Sequence, residues 1–261
     1  MKLSISNIAW DKKDDEEIYV FLKKLGFEGI EIAPSRMVGA SPYSKSIESK
    51  KICEEIFKKY QFEIPSIQSI WYGIKEELFN SKKEYDFLVE YTKLAINFAS
   101  EIQCRNLVFG CPKNRNINNK EDIILSKKFF DEIGRYADSK VTIIGIEANP
   151  IIYNTNFLNT TLEVLNFVEE LNCQGIGINI DLGTIIANEE DINIIKNSSE
   201  YISHVHISEP YLEKIEKRDI HKKLVSILRD INYDNYISIE MKNLNDINLV
   251  KETCEYIKGL L

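Results

Sequence analysis

The chain is short of positive charge. Its 33 Lys and Arg residues are outnumbered by 41 Asp and Glu, giving a net charge of −8 over 261 residues. Binding to nucleic acid needs a basic face to neutralise phosphates, so nucleic acid is excluded as the main partner. No apolar run approaches the roughly 18 residues that a membrane-spanning helix requires, which excludes a membrane protein of that kind. The segment MKLSISNIAW alternates like a strand and lacks the apolar core of a secretory signal. Cysteine is sparse: five residues, odd in number and without a CxxC pair, namely Cys53, Cys104, Cys111, Cys173 and Cys254. That excludes a disulfide framework and predicts reduced thiols in a cytoplasmic protein. Pro/Gly/Ser-rich linkers and low-complexity tracts are also missing, so residues 1–261 are expected to form a single domain.

Present throughout is a regular alternation. Apolar, β-branched runs at about 2–8, 27–32, 62–70, 105–110, 141–147, 175–181, 201–207 and 235–241 read as strands. Segments with helical periodicity lie between and after them, at 14–25, 46–60, 82–102, 121–138, 157–172, 190–199, 213–230 and 246–260. In 157–172 the residues Leu158, Leu162, Leu165, Val168 and Leu171 are expected to share one face. Regular strand-then-helix order implies parallel strands with right-handed crossovers, and eight units in this length predict an α/β fold, a single (β/α)8 TIM barrel. A doubly wound open sheet should carry a glycine-rich phosphate turn after its first strand, and SNIAWDKK has none.

Four of the strand runs end on a residue a strand interior seldom carries: Glu147 in VTIIGIE, Asp181 in GIGINID, His206 in YISHVH and Glu240 in NYISIE. In a barrel of this type the C-terminal strand ends form the active face, so the four are predicted to converge. Three carboxylates and an imidazole brought together would repel and be costly to desolvate. A divalent cation removes the conflict, and oxygen plus imidazole donors suit Mn²⁺, Mg²⁺, Co²⁺ or Zn²⁺.

Side chains two apart on a strand share a face, so Gly145, Asn179, His204 and Ser238 should also point into the barrel. All are small or polar, where barrels normally place bulky aliphatics. Asn179, His204 and Ser238 are therefore expected to support the ligands by hydrogen bonds. Of the two strand-seven histidines, His206 lies nearer the strand end and is assigned as the ligand. His221 falls in a helix and is expected at the surface. Around the mouth, Trp10, Trp71 and Tyr72 are candidates for stacking on a sugar ring, and Lys113, Arg115 and Lys242 for holding an anionic group. Glu209 is expected to orient a hydroxyl or cap the next helix, and Glu31 and, more weakly, Gln68 to face the pocket. Cys111 has no histidine partner, which argues against thiol catalysis.

The segments GIEIAP (29–34), LVFGCPKNR (107–115), IEANPIIYNTNFLNT (146–160), INIDLGT (178–184), HVHISEP (204–210) and ISIEMK (237–242) resemble the sugar phosphate isomerase/epimerase superfamily. These are xylose isomerase-like TIM barrels, and the likeness is to their ketose 3-epimerase branch. The resemblance implies that Glu147, Asp181, His206 and Glu240 hold a metal, manganese among the candidates, and that Glu147 and Glu240 exchange the proton beside a carbonyl. It also implies a small carbohydrate substrate and a homodimer or homotetramer. The branch's substrate-recognition set is not retained. A glutamate is replaced by Tyr153 or Asn154, a histidine three residues past Asp181 by Thr184, and an arginine six past His206 by Leu212. Three histidines are too few for the three-metal AP-endonuclease-like branch. The function expected is a metal-dependent isomerase or epimerase of a small sugar, sugar phosphate or polyol ketone. The alternatives are a lyase resembling inosose dehydratase and a sugar-binding barrel without catalysis.

Overall fold

A computed structural model describes residues 1–261, and its framework is a ring of eight strands. In chain order they are β1 (Lys2–Ser6), β2 (Gly29–Glu31), β3 (Ser66–Ile67), β4 (Asn106–Phe109), β5 (Ile143–Glu147), β6 (Ile176–Asp181), β7 (Ile202–Ile207) and β8 (Tyr236–Ile239). They are hydrogen-bonded in the order β2-β1-β8-β7-β6-β5-β4-β3, every pair parallel. Parallel bridges Gly29↔Glu63 and Ile32↔Ile67 join the two ends, so the sheet curls into a (β/α)8 barrel. β3 is much shorter than the expected 62–70. Pro65 has no N–H to give the ladder, and pairing with β2 survives only as those isolated bridges on either side of it.

Ten α-helices surround the barrel: α1 (Asp15–Leu25), α2 (Pro34–Val38), α3 (Ser46–Tyr60), α4 (Lys82–Glu101), α5 (Lys120–Ser139), α6 (Thr161–Leu171), α7 (Leu182–Ala187), α8 (Ile194–Asn197), α9 (Asp219–Asp230) and α10 (Ile247–Lys258). Four of the longer ones start on a side-chain cap, Asp246 serving α10 by accepting from the Asn248 and Leu249 N–H groups. Ser81 accepts from the Glu84 N–H, and Asn119 with Asp122 and Thr160 with Glu163 form reciprocal capping boxes. The last box corrects the expected helix 157–172. The chain enters α6 only at Thr161, Leu158 precedes it, and Leu162 is 52% exposed. The inward face is instead Thr161, Val164, Leu165 and Val168. The Thr-x-x-Glu signal was present in the sequence and outranks the leucine spacing, because it sets where the first turn begins. The helix expected at 190–199 is the shorter α8, and a further helix that was not expected, α7, follows β6 directly. His221 lies on α9 as expected but is fully buried, with its Nδ1 3.0 Å from the Tyr256 hydroxyl.

Alternation along the strands separates two environments. Leu3, Ile5, Ile30, Leu107, Phe109, Ile144, Ile146, Ile178, Ile180, Val205, Ile207, Ile237 and Ile239 are buried against the helices. The residues between them line a polar lumen. Ser4 Oγ lies 2.5 Å from Ser238 Oγ, and Asn106 donates to Ser66 Oγ at 2.9 Å. A Cβ on Gly145 would come within 2.7 Å of both Asn106 Oδ1 and Ser203 Oγ. A (β/α)8 barrel usually packs this space with branched aliphatics. Here it is built to carry hydrogen bonds toward one end of the strands. A cavity of about 1240 Å³ opens at the opposite end, among Lys2, Arg105, Tyr201 and Tyr236. None of the four strand-end residues lines it.

Candidate metal centre

The donor atoms of Glu147, Asp181, His206 and Glu240 lie within 4.8 Å of one another. Register explains the meeting. Asp181 pairs with His206 across β6 and β7, Glu147 pairs with Asn179 across β5 and β6, and Glu240 follows β8 directly. His206 Nδ1 is 3.1 Å from Glu147 Oε1 and 3.1 Å from Glu240 Oε2. Asp181 is held from two sides. Its Oδ2 accepts from the Thr184 backbone N–H at 2.7 Å and lies 2.8 Å from the Thr184 hydroxyl, and its Oδ1 accepts from Ser208 Oγ. Asp181 is thus also the N-cap of α7.

Two donors on one such ion are separated by roughly 3 to 4.4 Å, from metal–oxygen and metal–nitrogen distances near 2.1 Å. His206 Nδ1 meets that spacing with both Glu147 and Glu240 at 3.1 Å, and all four donors lie within 4.8 Å, so three carboxylates and one imidazole nitrogen are close enough to share a divalent cation. Their electrostatics fit it as well. Burial, reinforced by Glu240, pushes Glu147 above the usual carboxylate range despite its hydrogen bond to His206. Burial and the neighbouring Glu147 push Asp181 up to about 6. Burial alone would lower His206, yet Glu31, Glu240 and Glu147 outweigh it and hold the imidazole well above its ordinary value. In the protein alone the imidazolium is the one positive charge among these acids, occupying the electrostatic role of a metal ion.

The supporting residues also lie where strand parity puts them. Asn179 Nδ2 donates to Glu147 Oε1 at 2.7 Å and sits 3.2 Å from His206 Nδ1. His204 Nε2 lies 2.9 Å from Ser238 Oγ. Glu31 and Gln68 are buried beneath the cluster, and Gln68 Nε2 donates to Glu31 Oε1.

The rim candidates fare differently, and four are corrections. Trp71 is 1% exposed, donates to Thr92 Oγ1 and packs on Phe109 and Phe129 beneath the helices, so its ring has no face for a sugar. Trp10 is wedged between α1 and α2, with its indole N–H on Asp15, the Arg36 guanidinium over its ring and Tyr19 at its edge. Arg115 is fully buried and its Nη2 donates to the Glu147 and Leu158 carbonyls, so it braces the end of β5 and offers nothing to an anion at the mouth. Glu209 is buried too, accepting from the Glu216 N–H and Arg218 Nε, which fastens the loop before α9. Lys242 is ion-paired with Glu213. Tyr72 is 76% exposed in the turn after β3, and Lys113 is exposed in the short turn Pro112–Asn114. Burial pushes the Cys111 thiol up to about 11, against any nucleophilic use.

Sequence reasoning passed over three participants. Thr184 was noted only as a departure, yet it clamps Asp181, and an Asp three residues before a threonine at the start of a helix is a capping signal. Tyr153 is half-buried, and its hydroxyl accepts from the Tyr211 N–H at 2.7 Å. Burial, with Asp181, Glu147 and Glu240 nearby, pushes its phenol up to about 12, so it presents a neutral hydroxyl to the acids. Gly110 is the third: a Cβ there would stand 2.8 Å from Glu147 Oε2. Gly110→Ala should therefore turn the Glu147 carboxylate aside while sparing the backbone. The expected result is metal affinity weakened by about 10-fold or more with the melting temperature little changed, measured by calorimetric titration and thermal melts.

The sequence profile of the xylose isomerase-like TIM barrel family matches residues 20–260. A search of curated proteins finds no match. Among solved structures, 3-keto-D-glucoside 4-epimerase YcjR from E. coli superposes with a TM-score of 0.79 at 16% identity, covering 100% of this chain and 98% of that one. D-Psicose 3-epimerase with D-tagatose from Clostridium cellulolyticum H10 gives 0.81 at 15% identity, with 100% and 96% covered. The IolI protein, solved with a bound zinc atom, gives 0.72 at 17% identity, with 100% and 95% covered. At these identities the likeness to solved structures is one of fold.

Proposed function

Because the chain belongs to the xylose isomerase-like TIM barrel family, we propose that it is a metal-dependent isomerase or epimerase acting on a small, unphosphorylated ketose or polyol ketone. The observation that carries this reading is the meeting of Glu147, Asp181, His206 and Glu240 within 4.8 Å at one end of the lumen. These residues would hold the ion, which when bound supplies Lewis-acid stabilisation of negative charge on substrate oxygens. The protein's own groups account for the proton movements. Glu147 and Glu240 belong to strand ends three places apart around the ring, so they approach a bound sugar from different sides. One carboxylate removes the proton beside the carbonyl, giving an enediolate, and the other returns a proton to the opposite face. The Tyr153 phenol, kept neutral by burial beside these acids, would donate a hydrogen bond to a sugar oxygen.

The preference for an uncharged substrate follows from the cations. Arg115 is consumed by backbone carbonyls and Lys242 by Glu213, leaving Lys113 as the remaining rim candidate against an acidic site. The epimerase neighbours described above act, by name, on neutral sugars or glycosides, which supports this preference.

The test is a screen of ketoses and ketose phosphates in D₂O with Mn²⁺ or Co²⁺. A neutral ketose should take up carbon-bound deuterium and return an isomer of unchanged composition, with the matching phosphate turned over at least about 10-fold less efficiently. Loss of one water from the product would make the protein a lyase. Binding without exchange would make it a sugar-binding barrel, and a preference for the phosphate would overturn the substrate assignment.

A further inference from the structure

Beneath the four strand-end residues lies a second cluster in which Glu31, His204 and His206 bring donor atoms within 4.8 Å. Resting on the metal-binding reading above, we infer that Glu31 is a positioning residue that makes His206 a ligand. It accepts the hydrogen bond of the Nε2–H and thereby turns Nδ1 toward Glu147, Asp181 and Glu240. Glu31 comes from β2 and His206 from β7, 175 positions apart in the chain.

The geometry assigns the protons. Glu31 is fully buried, and a buried carboxylate must have its oxygens satisfied. Gln68 Nε2 donates to Oε1, while His204 Nε2 at 2.9 Å and His206 Nε2 at 3.0 Å both address Oε2. An ionised carboxylate only accepts, so each imidazole places its proton on Nε2. For His206 that leaves Nδ1, once its own proton is displaced, as the atom that would bind the ion, and Nδ1 is the atom 3.1 Å from both Glu147 and Glu240. The same contact fixes the ring plane and raises the donor strength of Nδ1, the usual consequence of a carboxylate behind a metal-bound histidine. His204 acts as a strut. Its Nε2 also meets Ser238 Oγ, which leans on Ser4 Oγ, so Glu31 is held against sideways movement from the β8–β1 side and from β3 through Gln68.

The competing reading of the cluster is a second metal ion shared through His206. It is disfavoured because Glu31 Oε2 is already paired with both Nε2 atoms and Oε1 with Gln68. A second ion would need both protons removed and His206 bridging two cations.

The experiment uses the full chain stripped with chelator. Wild type titrated with Co²⁺ or Mn²⁺ should take up one ion per chain. Glu31→Gln should bind the same ion about 10- to 100-fold more weakly, with an altered Co²⁺ visible spectrum, while its circular dichroism is unchanged. Independently of any variant, long-range ¹H–¹⁵N spectra of Zn²⁺-loaded, ¹⁵N-labelled wild type should show the His206 proton on Nε2 and a metal-shifted Nδ1. A proton on Nδ1, an unaltered affinity in folded Glu31→Gln, or two ions per chain with the second lost in the variant would each overturn the role given to Glu31. Failure of wild type to bind any ion would overturn the metal reading itself. If Glu31→Gln does not fold, the wild-type spectra alone decide.

Discussion

Glu240→Gln is expected to lower turnover of the ketose substrate by about 10³-fold, or about 4 kcal/mol of barrier, with a much smaller change in KM. The size follows from what the substitution removes. Gln keeps the volume and an oxygen able to face the ion but can neither take nor give the proton at the reacting carbon. Glu240 is the better of the two carboxylates for this experiment. Glu147 accepts from Asn179 Nδ2 at 2.7 Å and Asn149 Nδ2 at 3.3 Å, so Glu147→Gln would set an amide N–H₂ against amide donors and disturb the site. Glu240 meets only His206 among the residues of the cluster's hydrogen-bond network. Metal content close to that of wild type, together with the lost kcat, assigns the loss to proton transfer. Undiminished turnover would remove Glu240 from the mechanism.

The second large effect is on stability. Saturating Mn²⁺ or Co²⁺, at about 100 times the dissociation constant, should stabilise the folded chain by about 2.7 kcal/mol. For a protein of this size that raises the melting temperature by roughly 5 to 10 °C, reversed by chelator. The gain should grow with pH, and the signs can be worked out group by group. Asp181 rises from 3.8 to about 6, and Glu147 is also raised. In the metal-free protein both therefore hold protons that the unfolded chain has already lost, so their contribution to stability is present below pH 3.8 and disappears as pH rises to about 6. His206 is raised above its ordinary 6.5, so its contribution is also fully present below that pH and is lost at higher pH. Glu31 works in the opposite sense. Burial would raise it, but the two histidines hold it well below its ordinary 4.5, so its contribution is present above that pH and is lost on acidification. Between pH 4.5 and 6 the apoprotein should thus weaken as the acids ionise against one another. Metal binding displaces those same protons, so the ion's stabilisation should be larger at pH 7.5 than at 5.5. Melting curves with metal and with chelator at both pH values check this. Equal shifts at the two would contradict it.

Much of the barrel was legible because its cause is local. Each strand alternates aliphatic residues, which the helices cover, with small or polar ones, and each apolar run stops where a turn residue or cap intervenes. Helix entry points were less so: the slip at Leu162 came from weighing leucine spacing over the Thr160–Glu163 box. Exposure was not legible. Trp71 and Tyr72 are neighbours after one strand, yet one is wholly buried under helices and the other is 76% exposed. Arg115 looked like a free loop cation and is instead turned inward onto the Glu147 and Leu158 carbonyls.

The amino-acid order by itself determined the β/α repeat, the strand ends that carry Glu147, Asp181, His206 and Glu240, and the parity that put Asn179, His204 and Ser238 beneath them. Those properties depend on residues within a few positions of one another. Closure of the ring decided the rest. It brought Glu31 to His206 across 175 positions, gave Gly110 its contact with Glu147, and took Trp10, Trp71, Arg115 and Glu209 away from the mouth. A contact across the lumen depends on how eight strands stagger and tilt together, and no single segment carries that information.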